Sequence, residues 1–333
     1  AISLANLAKH VQDEVRDPAH AAPLIEIFEA VAGGSLWDRP IFSTIDCTVA
    51  PLMHEREMTE ATLAMVRAGV PVLVLPMPLS GTTAPMTVLG TMIVNVAELL
   101  SAVVLFQLAQ PGCGIISGVG AGVADMRSDL YLCGTPECAL MNVIGVEMSR
   151  FYGLPCTASA ITCDAKAANL QAGAEGMLTG AACALAGADT ILAFGCSDGA
   201  QSLSFAKVLL DCDSVGALRR LVRDDPVDAA RALVDDIAAV GPGGHYLGRR
   251  STRQLHRAGE VWQPAIWQRG PFEAYEGRPL AEEAAARAEE VLRTHEVLPL
   301  SDDVAAEVDA VIERFARSVG APTARVGWRH KRA

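Results

Sequence analysis

"PVLVLPMPLSGTTAPMTVLGTMIVNVAELL", residues 71 to 100, begins as an apolar run rich in Val and Leu, crosses a stretch of small residues and continues as a mostly apolar segment of helical length. It reads as a buried strand, a turn and a helix. At the turn, Gly81 supplies backbone angles that other residues avoid, and a Thr at 82 or 83 caps the free N–H groups at the helix start. Asn95 and Glu98 interrupt the apolar pattern inside the helix, where an amide and a carboxylate need partners. In a parallel barrel the handover from strand to helix is where ligands bind.

The same handover recurs. Extended apolar segments lie at 40–49, 71–78, 113–118, 155–163 and 190–196, with helical stretches at about 56–69, 86–109, 136–152, 168–187 and 201–222. Strand then helix, repeated, implies a parallel sheet. The strands are short, apolar on both sides and rich in small residues, which suits an α/β chain folded as a TIM-type (β/α)8-like barrel packed by its own side chains. Adding "KHVQ" (9–12) and "HYL" (245–247) brings the strands to seven, so one stave, the first, is not accounted for. An open doubly wound sheet is the alternative, supported by "SGVGAG" (117–122), in which Gly118 and Gly120 fit G-x-G-x-x-G but Val123 takes the third Gly position. Past residue 222 the pattern becomes irregular, and from Pro279 to Val319 it is helical, Ala- and Glu-rich. The expected division is a barrel over 1–278 and a C-terminal helical extension packed on it over 279–333.

Net charge is −12 with only 27 Lys and Arg, so the clustered cations that phosphates require are missing and no nucleic-acid partner is expected. No apolar run reaches the ~20 residues of a membrane span without polar interruption. Around 85–109 Thr87, Asn95, Glu98, Ser101 and Gln107 recur, so a helix inside a protein is expected and no membrane partner. The N-terminus lacks a basic start followed by an apolar stretch, and the chain reads as cytoplasmic. Nine Cys, an odd number set mostly in apolar runs, behave as small hydrophobes rather than a disulfide framework. His54, His245 and His256 have no ligand spacing, so no bound metal is expected, and C-x-x-C, H-E-x-x-H, G-x-S-x-G and the P-loop are absent. What stands out is a polar residue at or just after each strand: Asp46; Ser80 to Thr83; Asp125 and Arg127; Asp164 and Lys166; Cys196 and Asp198. In a barrel these converge on one face.

The blocks "GTTAPMTVLGTMIVNVAELLSAVVLFQLAQPG", "ADMRSDLYLCGTPECALMN", "RFYGLP", "DAKAANLQAGAEGMLTGAACALAGADTI" and "VGPGGHYLGRRSTRQLHRAGEVWQP", with the Ala-rich ending, resemble the trimethylamine methyltransferase (MttB-like) family in order and approximate spacing. The resemblance implies a TIM-type barrel whose top face meets a separate corrinoid protein. It further implies a methyltransferase that moves a methyl group from a quaternary or tertiary amine to cob(I)alamin, a step in one-carbon metabolism. Archaeal trimethylamine enzymes of the family use pyrrolysine; no residue here is written as one, so the resemblance points to the branch acting on glycine betaine and related quaternary amines. Family chains are usually longer at the N-terminus.

Cob(I)alamin is a strong nucleophile and a quaternary ammonium leaves as a neutral amine, so orientation rather than a general acid is required of the protein. Trimethylammonium recognition favours aromatic faces with carboxylates nearby. Phe42, Tyr131, Phe194 and Tyr246 are the aromatic candidates. Asp46, Asp125 and Asp164 supply negative potential, Arg127 a partner for a substrate carboxylate, and Thr83 a further substrate contact. Gly81, Thr82, Gln171 and His245 are placed on the corrinoid face. Asn95, Glu98, Gln171 and Glu175 have the alternative role of bonding loops over their helices, Glu98 bracing the Gly81–Thr83 turn. Lys207 is expected on the outer side of its helix. The partners expected are the corrinoid protein, the amine and, as a homo-oligomer, further copies of the chain; the runner-up is a non-catalytic barrel paralogue that binds amine or corrinoid without turnover.

Overall fold

The computed structural model describes residues 2–274 and 277–321. The part of the expected extension beyond residue 321 lies outside the described residues.

Six strands form one parallel sheet in chain order: β1 Val11–Glu14, β2 Phe42–Asp46, β3 Val72–Val74, β4 Ile115–Val119, β5 Cys156–Ser159 and β6 Thr190–Leu192. A helix follows each one: α1 Pro18–Ala32, α2 Arg56–Arg67, α3 Val88–Ala109, α4 Pro136–Phe151, α5 Leu170–Ala186 and α6 Phe205–Leu221. Each starts where the sequence offers a capping side chain: Asp17, Glu55, Thr87, Thr135, Asn169 and Ser204 accept from the first free N–H groups. Thr87, not Thr82 or Thr83, caps α3. Parallel neighbours joined through helices are right-handed crossovers in nearly all proteins, which puts the helices on one side.

The register assigns two faces. Val11, Phe42, Thr44, Val72, Val74, Ile115, Ser117, Cys156 and Ala158 share the helix side, and all are buried. Val72, Val74 and Ile115 pack with Leu99, Ala102 and Phe106 of α3; Val119, Cys156 and Ala158 pack with Met92, Met141 and Val146. Burying a side chain such as Phe106 contributes about 2–3 kcal/mol. The other face carries Gln12, Glu14, Ser43, Ile45, Leu73, Ile116, Gly118, Thr157 and Ser159. Glu14, Ile45, Ile116 and Ser159 there are only half-buried.

The architecture is a parallel half-barrel with sequential strands. Strands 71–78, 113–118, 155–163 and 190–196 are consecutive parallel neighbours, as expected, and "KHVQ" leads into β1. Among the described residues β1 and β6 each have one neighbour, so the curled sheet is compatible with a TIM-like barrel without forming a complete (β/α)8. One expectation is corrected: "HYL" forms no strand. The doubly wound alternative is overturned too: sequential order has no switch point, and "SGVGAG" runs from the end of β4 into the short strand Gly122–Ala124 rather than turning into a helix. Gly118 is required there because a Cβ would lie 2.6 Å from the Val74 carbonyl.

Helix α3 is the one described helix long and apolar enough by composition to cross a membrane, with a mean hydropathy of 2.1. One side packs on the sheet, and Leu89, Ile93, Val104 and Leu108 remain exposed. Two late helices join the outer layer: α7 Leu280–Thr294 lies on α6, and α8 Asp302–Ser318 lies on α1. Ala305, Val308 and Val311 of α8 share a core with Ile27, Phe28 and Phe42.

Lys207 departs from expectation. It is 2% exposed, and its ammonium donates to Asp211 Oδ2 at 2.7 Å and to the Ile161 carbonyl at 2.9 Å. Removing one partner strands the other charge in the interior. Lys207→Met should therefore lower stability by about 3–5 kcal/mol in chemical denaturation, and adding Asp211→Leu should recover part of that loss.

Candidate functional site at the C-terminal end of the sheet

Among the described residues seven non-glycine residues have left-handed backbones, and six of them, Leu52, Asp129, Ile161, Ala193, Asp198 and Ala200, lie in loops that follow strands of the main sheet. Such conformations cost of order 1–3 kcal/mol each and persist only when their surroundings enforce them. At Leu52 and Ile161, and at Gly195 beside Ala193, helix-borne polar groups hold the backbone. Glu98 of α3 accepts from the Leu52 N–H at 2.8 Å and from the Thr48 hydroxyl, so it braces the loop after β2 rather than the Gly81–Thr83 turn. Thr179 of α5 accepts from the Ile161 N–H at 3.1 Å while Lys207 holds its carbonyl. Asp211 accepts from the Gly195 N–H at 2.7 Å. Among the described residues this strain gathers at one end of the sheet, which makes that end the candidate site.

Over the ends of β3 and β4 sits a small second sheet of Leu79–Ser80, Gly122–Ala124 and Tyr131–Leu132. Gly81, at φ 99°, turns the chain, and a Cβ there would press on Met86 and Met126. Thr83 Oγ1 accepts from the Leu79 N–H at 2.8 Å and Thr82 N donates to the Leu79 carbonyl at 3.2 Å. Asp125 accepts from the Arg127 N–H and the Ser128 hydroxyl, and the Ser128 bond holds its carboxyl below the usual range. Arg127 itself is exposed. Tyr131 lies against Gly122, with its hydroxyl 3.4 Å from the Gly120 carbonyl. Leu52, Met53, Met77, Met86, Met126 and Leu130 are exposed around this cap.

Asp164 uses both carboxylate oxygens on backbone, accepting from Cys133 N at 2.8 Å and Gly134 N at 3.1 Å. Its own N–H donates to Glu175, which also accepts from Gln171 at 2.7 Å. The loops after β5 and β6 are tied by the Lys166–Asp198 ion pair and by Asp198 N donating to the Ala165 carbonyl. Phe194 is half-buried between left-handed Ala193 and Gly195. The structure thus gathers Gly81, Thr82, Thr83, Asp125, Arg127, Tyr131, Asp164, Gln171 and Phe194 into the loops and helix starts of one end. It does not bring Phe42 there: that ring opens β2 at the opposite end and stacks on Phe28 with centroids 4.2 Å apart. His245 and Tyr246 are exposed in a segment whose bond at this point is local, Arg249 N to the Tyr246 carbonyl.

Asp46 ends β2 on the helix side, where Thr62 donates to it at 3.1 Å and its second oxygen has no protein partner. Thr44 Oγ1, His54 Nδ1 and Asn95 Oδ1 are likewise buried without one. A group not singled out in the sequence lies on the open face instead: Glu14, Arg16 and Cys47. Arg16 pairs with Glu14 at 2.6 Å. The Cys47 thiol is pushed up to about 12, chiefly by burial and then by the charge of Glu14. The "DEVR" at 13–16 was the available signal, charges alternating across the end of a strand. Among the described residues no group of three or more His, Cys, Asp or Glu side chains is placed to hold a metal ion.

A parallel half-barrel with strained, polar-braced loops at its C-terminal end is compatible with a TIM-like barrel, the fold in which ligands bind at that end. The sequence profile of the trimethylamine methyltransferase (MTTB) family matches residues 2–320, and the chain belongs to that family. It is 30% identical to the trimethylamine methyltransferase MttB of Methanosarcina barkeri over 93% of its own length and 64% of the relative's. It is 28% identical to the glycine betaine methyltransferase of Desulfitobacterium hafniense over 96% of its length and 67% of the relative's. The chain thus spans about two thirds of the length of these relatives.

Burial raises the Asp46 carboxyl above its ordinary value, against the lowering effects of Thr62 and His54. The folded chain then binds that proton more tightly than the unfolded chain, so stability from the neutral acid is lost as pH rises from the ordinary carboxylate range through the raised value. Asp46→Asn stays neutral throughout. Thermal melts should show it close to the parent at about pH 4 and more stable at about pH 7.5; equal melting points at both would contradict the raised value.

Proposed function

We propose that the chain is a corrinoid-dependent methyltransferase that moves a methyl group from a betaine-like quaternary or tertiary amine to cob(I)alamin on a partner corrinoid protein. The observation that carries this reading is family membership over residues 2–320, with a glycine betaine methyltransferase among the relatives. Absence of any residue written as pyrrolysine supports the quaternary-amine side of the family.

The donor set suits the chemistry. When bound, the corrinoid supplies the nucleophile that takes the methyl; from a quaternary ammonium the nitrogen keeps the C–N electron pair and leaves as a neutral tertiary amine, so no residue has to deliver a proton, whereas a tertiary amine leaves as a neutral amine only from its protonated form. The chain's task is to orient and to keep water out. Phe194 and Tyr131 offer aromatic faces for the ammonium methyls, and Asp164, fixed by two backbone N–H groups, offers fixed negative charge. The exposed Met77, Met86 and Met126 around Gly81 and Thr82 form an adaptable apolar surface on which a corrinoid-bearing partner could rest. The uncharged exposed stripe of α3, Leu89, Ile93, Val104 and Leu108, supports self-association. The second reading is a paralogue that binds amine or corrinoid without turnover.

Transfer from glycine betaine to cob(I)alamin, followed by the absorbance change on methylation with the corrinoid protein present, separates the two. Turnover is expected; binding without turnover would establish the paralogue. Phe194→Ala should weaken betaine binding about tenfold in calorimetric titration, through lost contact and lost cation–π attraction together.

A further inference from the structure

A betaine carries a carboxylate as well as a trimethylammonium. Arg127, the residue first expected to meet that carboxylate, is on the exposed turn of the cap. Arg16 is better placed. The register sets Glu14 opposite Ile45, Ile45 opposite Leu73 and Leu73 opposite Ile116, so Glu14 belongs to the inner face of the half-barrel. Among the strand residues on that face it alone ionises. Val15 is buried in the helix-side core, which returns Arg16 to the inner side at the C-terminal end of β1.

The guanidinium Nε and Nη2 lie 2.7 and 2.6 Å from the same oxygen, Glu14 Oε2. Glu14 is 24% exposed and Arg16 75%. Cys47 follows the end of β2 close enough to Glu14 for that carboxylate to push its thiol up, after burial. A guanidinium has five N–H donors in a fixed plane; Glu14 engages one side of it, and among the described residues no other side chain takes the remaining donors. That is the arrangement that grips a carboxylate bidentately, and holding the side chain beforehand removes part of the ordering cost of binding.

We infer that Arg16, positioned by Glu14, reads the substrate carboxylate and selects zwitterionic betaines over methylated ammonium ions that lack one. The inference rests on the quaternary-amine reading above and names the residue that sets specificity within it. Glu14 acts through Arg16 and is a positioning residue.

The test is calorimetric titration of the full chain, with its corrinoid protein present, against glycine betaine and against tetramethylammonium, which has the same cation and no carboxylate. The parent should prefer glycine betaine. Arg16→Ala should lower glycine betaine affinity at least tenfold and leave tetramethylammonium unchanged. Arg16→Lys, a point charge without the fork, should restore only part of the loss. Glu14→Gln keeps the guanidinium but loosens it, and should weaken glycine betaine severalfold with no effect on tetramethylammonium. If the parent binds glycine betaine and Arg16→Ala binds it equally well, the assignment of Arg16 is wrong while the quaternary-amine reading stands. If the parent binds neither ligand, that reading falls and the assignment with it.

Discussion

The Lys207–Asp211 pair is the interaction on which the working end of the molecule depends. As a buried ion pair it adds little net stability, because desolvating two charges offsets their attraction. Its effect is geometric. One charge holds the Ile161 carbonyl, in the loop after β5, and the other the Gly195 N–H, in the loop after β6. A helix on the outside of the sheet thereby sets the conformation of two loops at its end. The same device recurs with Glu98 on the loop after β2 and Glu175 on Asp164. Each is a polar residue on an otherwise apolar helix face, directed at backbone whose angles would relax without it.

This division of labour explains why the helix-side core is so plain. Strands β2 to β5 pack through Val, Ile, Ala, Cys and Phe, and α3 answers with Leu99, Ala102 and Phe106. The scaffold is generic for parallel α/β proteins; what is particular to this chain lies in the loops and on the inner face. Asp164 illustrates the consequence. Its charge was expected to act on substrate, yet both its oxygens tie Cys133 and Gly134 to the loop after β5. Whatever potential it offers a ligand comes from a carboxylate whose position is already fixed.

Much of this was legible in the sequence. Apolar runs located β2 to β6 and helical spacing located the helices between them, although the cap of α3 was expected at Thr82 or Thr83 and is Thr87. Three kinds of error share a physical origin, namely that periodicity says which residues share a face but not what covers it. Lys207 reads as a solvent residue because Lys usually is; only the loops arriving from β5 and β6 give it partners. Phe42 reads as an aromatic at a strand end, but it is the end where the chain enters, and Phe28 covers it. Glu14 and Arg16 were not singled out at all; only the register with β2 fixes the side on which Glu14 stands. "HYL" lacked a neighbouring strand to pair with, and three suitable residues do not make a stave alone.

The contact of α8 with α1 joins residues nearly three hundred positions apart, since Val308 and Val311 complete the core that begins with Val11, Ile27 and Phe28. Every other unit of the sheet meets mainly its neighbours in sequence and can form as the chain is made. The first unit cannot finish. Its apolar face waits, uncovered, until residues 302–318 have been synthesised and have travelled back, and loop closure over that length is paid for last. Of the six described strand–helix units, the one built on β1 and α1 is therefore sealed only after the distant segment that covers it has been made.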